Sequence, residues 1–501
     1  MSSRLLPPLA AVAVALPFLF GFTQAPTNNF WPLLASWGCI GLLAAIALAT
    51  RWTRDDWAWR LAWGLVLAAV LASAVGLVQY FGGDVGWGPW IAPSTPGQAI
   101  GNLRQRNQQA TLLCLGAWAL LWAVAQWQGR LRAGRAVLPS LPGWLPGPLI
   151  VWALALIAAA SAATASRTGA LEWGALLALL WLWRGALGRL APWLAVAGMA
   201  LYAAWGWLLP RLLEQWGGIP ADHLLARFAD DGQGCGGRRA LWTNVLHLIA
   251  QKPWTGWGWG ELDYAHYMTL VPAPRFCVLL DNAHDLPLHL AVELGLPVAL
   301  AACLAVLWWL LRARPWAEAQ PARQLAIGVL ALIGLHSLLE FPLWYGPFQL
   351  AALVAVLLLW RGGWRVPPAL CAGALAAALA FGVYAGWDYW RVSQLYKAVE
   401  DRAPAYRDNT QAKVQGSWLF ADQVAFAELT TTTVTRANAA RMHALALRLL
   451  HFSPEPRVIE SLIESATLLG LDDEAAFHLR RFQIAYPQDY ARWRNEATSG
   501  R

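Results

Sequence analysis

Apolar runs of membrane-crossing length recur along most of the chain, at roughly 8–22, 31–50, 58–81, 108–127, 148–165, 168–183, 191–209, 286–311, 324–340, 346–360 and 367–390. Each predicts a spanning helix, since a bilayer core takes about 20 mostly apolar residues. The first run follows Arg4 but lacks a small-x-small cleavage site, and another begins almost at once, so it reads as a retained helix rather than a signal peptide. Two polar stretches interrupt the pattern. Segment 82–107 is rich in Gly, Pro and amides and reads as an irregular loop. Segment 210–285 is a large loop in which 239–251 (RALWTNVLHLIAQ) has helical apolar spacing, stops at Lys252-Pro253 and leads into the Gly/Trp turn TGWGWGE. From about 391 the chain turns polar.

The expected fold is all-α: a polytopic membrane bundle of about 11–12 spans with a large loop and a soluble helical tail. The expected divisions are a bundle at 1–209, the loop at 210–285, a second bundle at 286–390 and a tail domain at 391–501. In the tail, helical patterns at 455–469 and 472–485 are joined by Leu469-Gly470-Leu471-Asp472 and closed by Pro487, like one tetratricopeptide hairpin.

Composition sharpens this. The chain is 58% hydrophobic and 13% charged, against about 25% charged in soluble domains, which excludes a soluble enzyme, a coiled coil and a disordered scaffold. The net charge of +8 reads as topology, not as affinity for nucleic acid. With the N-terminus inside, the inner loops hold Arg51, Arg54, Arg60, Arg130, Arg132, Arg135, Arg184, Arg189, Arg312, Arg314, Arg323, Arg361 and Arg365. The short outer loops hold only Arg104, Arg106 and Arg167. The 210–285 loop and the tail then face outward. The six cysteines form no pair or Cys/His cluster with zinc spacing, so no metal site is expected. Cys235 and Cys277 are the only cysteines of the outer loop, and an oxidising compartment lets them pair.

Outer cations close to the membrane break the charge rule and call for a reason. Arg167 lies in the tight turn Ser166-Arg167-Thr168-Gly169, Arg238 and Arg239 open the loop helix, and Arg104 and Arg106 sit in the amide-rich loop. A planar guanidinium suits the oxygens of a lipid diphosphate. A snorkelling anchor is the plain alternative for Arg167, and a solvated loop for Arg104 and Arg106. At the start of the loop helix, backbone N–H groups favour an anion beside Arg238. Of nine histidines, His284 stands out in Leu280-Asp281-Asn282-Ala283-His284-Asp285, just before a span. Flanked by Asp281 and Asp285, an imidazole there can accept a proton near neutral pH. His289, Glu293 and His336 fall inside spans, either on a substrate path or in plain interhelical hydrogen bonds. Walker loops, HExxH helices and GxSxG elbows are absent, so no soluble cofactor is indicated.

Together these pieces resemble the O-antigen ligase/polymerase superfamily and, within it, the bacterial protein O-oligosaccharyltransferases (pilin glycosylation ligases). The matching stretches are GNLRQRNQQA at 101–110, ASRTGALEW at 165–173, GRRALWTNVLHLIAQKPWTGWGWGELDYAH at 237–266, DNAHDLPLHLAVELGLP at 281–297 and LLEFPLWYGPFQL at 338–350. The resemblance implies an inner-membrane enzyme with its active site facing the periplasm. The donor would be a glycan on undecaprenyl pyrophosphate, and the acceptor a Ser/Thr hydroxyl of a periplasmic protein such as pilin. It implies His284 as the catalytic histidine and Arg167 and Arg238, with Arg239 as companion, as diphosphate ligands. Asp281, Asn282, Asp285, Arg104 and Arg106 would be supporting residues. The family often has His-Asn where this chain has His284-Asp285, and Asn-His where it has Asn107-Gln108; the second departure weakens a catalytic role for the 101–110 loop. Transfer onto lipid A core or repeat-unit polymerisation shares this chemistry. A non-catalytic transporter of lipid-linked sugar is the reading from another class.

Overall fold

The computed structural model describes residues 5–132, 146–219, 235–272, 274–362 and 367–499; Arg4, Arg135, His223 and Arg365, together with 220–234 of the large loop, lie outside the described residues. In chain order the helices begin with α1 (Leu6–Leu19), α2 (Phe30–Ala49), α3 (Arg54–Gly82), α4 (Arg106–Arg132), α5 (Pro146–Ala163), α6 (Arg167–Leu182), α7 (Arg184–Leu187) and α8 (Leu190–Gly217). They continue with α9 (Arg238–Gln251), α10 (Leu262–Met268), α11 (Leu286–Leu294), α12 (Leu296–Ala313), α13 (Pro321–Ser337), α14 (Gly346–Leu359) and α15 (Pro368–Ser393). The tail adds α16 (Thr410–Val414), α17 (Ala421–Thr431), α18 (Ala439–Leu449), α19 (Pro456–Leu468), α20 (Asp472–Ala485) and α21 (Pro487–Ser499). Among the described residues the one extended pairing is an isolated bridge between Gln24 and Thr27.

Every expected apolar run is helical, but not every helix could cross a bilayer by itself. Among the described residues six are long and apolar enough: Phe30–Ala49, Arg54–Gly82, Arg106–Arg132, Leu190–Gly217, Leu296–Ala317 and Pro368–Tyr396. Leu6–Leu19, Gly147–Ala163 and Gly346–Leu359 are apolar but shorter, and α6 and α13 have 16 and 17 residues.

One expectation is corrected. The run at 286–311 is not a single span, because Gly295 (φ 87°) separates α11 from α12. The Gly/Trp turn after α9 supplies the cause. Trp257 N–H donates to the Val292 carbonyl (2.9 Å) and Gly258 N–H to that of Glu293 (2.9 Å), while Leu296 N–H donates to Pro253 (2.8 Å). The turn thus satisfies carbonyls that a helix end leaves without partners. A Cβ on Gly295 would lie 2.3 Å from the Trp254 oxygen, and one on Gly256 2.2 Å from that of Glu293. Only glycine permits so close a backbone approach.

The chain forms two compact units, Met1–Asp230 with Trp308–Val383, and Asp231–Leu307 with Tyr384–Arg501. The first is centred on α4, buried without interruption from Gln108 to Ala125, as a helix apolar on all sides must be. Its fully buried Trp118 and Trp122 donate their indole N–H groups to the carbonyls of Leu325 (3.0 Å) and Pro321 (2.8 Å) on α13. A Cβ on Gly116 would lie 2.1 Å from Ala69 of α3, and one on Gly64 2.5 Å from Val14 of α1. Small residues of this kind let helices approach closely where lipid cannot drive them together. Several arginines assigned to the inner loops lie over tryptophan rings: Arg60 on Trp52 (5.1 Å), Arg130 on Trp59 (5.0 Å) and Arg184 on Trp181 (4.9 Å). This is cation–π pairing. Arg323 differs, being buried with Nε 2.6 Å from Glu318 and Nη1 2.7 Å from the Leu359 carbonyl.

In the second unit Leu241, Val245 and Leu248 of α9 pack with Leu262, Ala265 and Val292. The tail helices α18 to α20 share a core of Met442, Leu449, Ile459, Leu462 and Phe482, which also takes in Tyr267 of α10. Polar contacts reinforce that junction. Tyr267 Oη is 3.0 Å from His478 Nδ1, Arg481 Nε donates to the Met268 carbonyl (3.0 Å), and His451 is 2.7 Å from Glu261 and stacks on Tyr264 at 3.8 Å between centroids.

Candidate functional site

His284 adopts a left-handed backbone conformation, φ 51°, which costs a non-glycine residue about 1–2 kcal/mol and persists only where neighbours enforce it. The enforcement is visible on both sides. Its N–H donates to Asn282 Oδ1 (2.9 Å), and the preceding carbonyl, of Ala283, accepts from Trp242 Nε1 (3.1 Å). The following residue, Asp285, caps α11 through Oδ1 to Leu288 N–H (2.9 Å). The backbone of this half-buried residue is therefore fixed between α9 and the first turn of α11. The two flanking carboxylates have different tasks: Asp285 is committed to the helix cap, whereas Asp281 is exposed and interacts electrostatically with His284.

Arg238 opens α9, half-buried, with Gly237 as an extended residue before it; Arg239 is exposed. Arg238 and Trp242 are spaced four apart and so share a helix face, the one Trp242 turns to Ala283. The expected disulfide joins Cys235 to Cys277 and anchors the approach to α9. Asn244 completes the frame, with Nδ2 donating to the Pro274 carbonyl (3.0 Å) and Oδ1 accepting from Phe276 N–H (3.1 Å).

Other histidines among the described residues have structural partners. His289 and Glu293 form a buried pair within α11, 3.4 Å apart, and His336 makes an interhelical contact, its Nδ1 2.7 Å from Thr111 Oγ1. His266 is buried against Asn244 (2.9 Å), and burial, aided by Arg275, pushes its pKa down to about 3. One group escaped the sequence reading. Burial raises the Asp263 carboxyl to about 7, against a hydrogen bond from Tyr264 N–H and with help from the Asp281 and Glu261 charges. No local motif marks it; only the fold encloses it.

In the first unit Arg167 is the first residue of α6. Ser166 caps that helix, its Oγ accepting from Gly169 N–H (3.1 Å), and Ala165 before it is left-handed, φ 47°. Ser166 Oγ donates to Asn107 Oδ1 (2.7 Å), and Asn107 Nδ2 donates to Glu340 Oε1 (2.8 Å). Arg104 is also left-handed (φ 59°) and donates to the Gly21 carbonyl, while Arg106 opens α4, half-buried. Two amides latch this loop, Asn102 within it and Gln79 of α3. Asn102 Nδ2 donates to Leu19 (2.7 Å) and Trp90 (2.8 Å), and Gln79 accepts from Gly101 N–H (2.7 Å).

Three family models match the chain, described as O-antigen ligase over 152–303, protein glycosylation ligase over 99–122 and the C-terminal part of a virulence factor membrane-bound polymerase over 324–499. Segment by segment, the chain is similar to the O-antigen ligase superfamily. The O-antigen ligase match contains Arg167, Arg238 and His284, and the protein glycosylation ligase match contains Arg104, Arg106 and Asn107. A curated relative, the general O-oligosaccharyltransferase of Acinetobacter baylyi, is 25% identical over 296 residues, which are 57% of this chain and 48% of the relative. The alignment thus spans about half the relative's length. No solved structure matches the chain.

Proposed function

We propose that this protein is a glycosyltransferase of the bacterial inner membrane that transfers an oligosaccharide en bloc from undecaprenyl pyrophosphate to Ser/Thr hydroxyls of periplasmic proteins. The acceptor hydroxyl attacks the anomeric carbon with inversion, the bond from that carbon to the diphosphate oxygen breaks, and the polyprenyl diphosphate leaves. His284 takes the proton of the attacking hydroxyl. Arg167 and Arg238, with Arg239 as companion, stabilise the charge that grows on the departing diphosphate. The lipid diphosphate is already an activated leaving group, so the scheme calls on neither ATP nor a metal ion. The protein glycosylation ligase match and the A. baylyi relative support a protein acceptor over lipid A core.

The observation that carries the proposal is His284 itself. The backbone of half-buried His284 is strained, and its two chain neighbours are fixed, Ala283 by a tryptophan hydrogen bond and Asp285 by a helix cap, which supports a preorganised proton acceptor. His284→Ala is expected to reduce transfer by about 10²–10⁴-fold while leaving binding of lipid-linked donor largely intact. Purified His284→Ala that transferred glycan at the wild-type rate would remove the histidine from the mechanism.

A further inference from the structure

Three of the sequence stretches singled out above meet at one side chain. Asn107, from GNLRQRNQQA, touches Ser166 of ASRTGALEW and Glu340 of LLEFPLWYGPFQL. One turn along, Thr111 of the same helix lies 2.7 Å from Glu172 of α6 and 2.7 Å from His336 of α13. Asn107 and Thr111 are four apart on α4, and His336 and Glu340 are four apart at the end of α13. α4, α6 and the C-terminal end of α13 with the residues just after it are therefore tied by two polar rungs a helical turn apart.

The directions within the outer rung are determined by hydrogen-bond chemistry. Ser166 Oγ accepts from Gly169 N–H, so its single proton is directed to Asn107 Oδ1. Asn107 can present its oxygen to Ser166 only if its nitrogen points away, and that nitrogen donates to Glu340 Oε1, whose acceptor oxygen holds the amide in this orientation. A flipped amide would lose both of these hydrogen bonds as they stand. Glu340 is buried, and a buried carboxylate is a costly way to clamp helices if clamping alone is needed. It does impose a direction that a neutral partner would leave ambiguous.

We propose that Asn107 and Glu340 are positioning residues for Arg167. They orient the Ser166 hydroxyl, which holds the first turn of α6, and the guanidinium borne by that turn is thereby aimed at the lipid diphosphate. This rests on the donor-binding reading of Arg167 given above.

The test is transfer kinetics in proteoliposomes with undecaprenyl-pyrophosphate-linked glycan, for the full chain and its variants Asn107→Ala, Glu340→Ala, Arg167→Ala and the double variant Asn107→Ala/Arg167→Ala. A displaced reacting group costs up to about a hundredfold. Asn107→Ala and Glu340→Ala should therefore raise the donor KM or lower kcat by about tenfold to a hundredfold, with the acceptor KM unchanged. The double variant should be no slower than Arg167→Ala alone, since residues acting as one unit are not additive. Multiplicative losses would overturn the relay while leaving Arg167 in its role. Arg167→Ala at wild-type rate would overturn the donor reading and the relay with it. Where Asn107→Ala does not accumulate in the membrane, Ser166 carries the same test. Ser166→Thr, which keeps the hydroxyl, should recover what Ser166→Ala loses, and equal rates for the two would refute the relay.

Discussion

Individual side chains in this protein acquire chemistry from the backbone that carries them. Among the described residues, non-glycine positive φ occurs at Arg104, Ala165, His284, Arg314 and Asn409, so three of the five strained positions fall at or beside candidate site residues. Strain of this sort concentrates where function requires a fixed geometry. Asp263 offers a separate test at this scale. Its carboxyl is raised from the ordinary 3.8 to about 7, so the folded form holds a proton that the unfolded chain releases above about pH 4. Stability therefore falls as pH rises between those values. Asp263→Asn, which resembles the protonated acid, should melt close to wild type at pH 5 and a few degrees above it at pH 8. A melting difference that stays flat from pH 5 to pH 8 would contradict a buried, protonated Asp263. The histidine carrying the proposed chemistry was legible in the sequence because aspartates and a following span framed it. Asp263 was not, because its neighbours in sequence do not reveal what covers it.

Helices and turns were mostly readable, and the exception is instructive. The period of apolar residues continues from 286 to 311, so composition predicts a continuous span. The break at Gly295 comes from a turn some forty residues upstream whose N–H groups meet the end of α11. Gly295→Ala should therefore destabilise the protein by about 1–3 kcal/mol from backbone strain alone, with the clash against Trp254 adding to it. Gly373→Ala, whose Cβ would meet nothing within 4 Å, should leave the melting temperature nearly unchanged. Equal melting of the two variants would mean that the packed turn does not hold the break. The Cys235–Cys277 bond closes a separation of 42 residues just before α9. Replacing both cysteines by serine should cost about 2–4 kcal/mol and lower transfer through a looser Arg238, read out by thermal melting beside a transfer assay. Wild-type melting and rate would leave the disulfide without a mechanical role.

At the level of the whole molecule the proposed transfer is tested through its acceptor and its donor. If proteins are the acceptor, deleting this chain should remove glycan from periplasmic and pilus proteins in mass spectra and leave the lipopolysaccharide ladder on a gel unchanged; the converse pattern would identify a lipid A ligase. Donor supplied only on the outer face of proteoliposomes should be consumed, whereas a transporter would leave it intact. Composition and apolar period alone were sufficient to establish a helical membrane protein with a polar tail, because burial in lipid constrains every residue of a span. The same signals found the disulfide partners and the arginines and histidine that break the local pattern. They could not reveal the Asn107–Glu340 contact across 233 residues, the enclosure of Asp263, the broken span at Gly295, or the packing of α10 into the tail core. Periodicity reports which face of a segment avoids water, whereas a hydrogen bond between distant side chains depends on which segments fold against one another, and only the packed chain decides that.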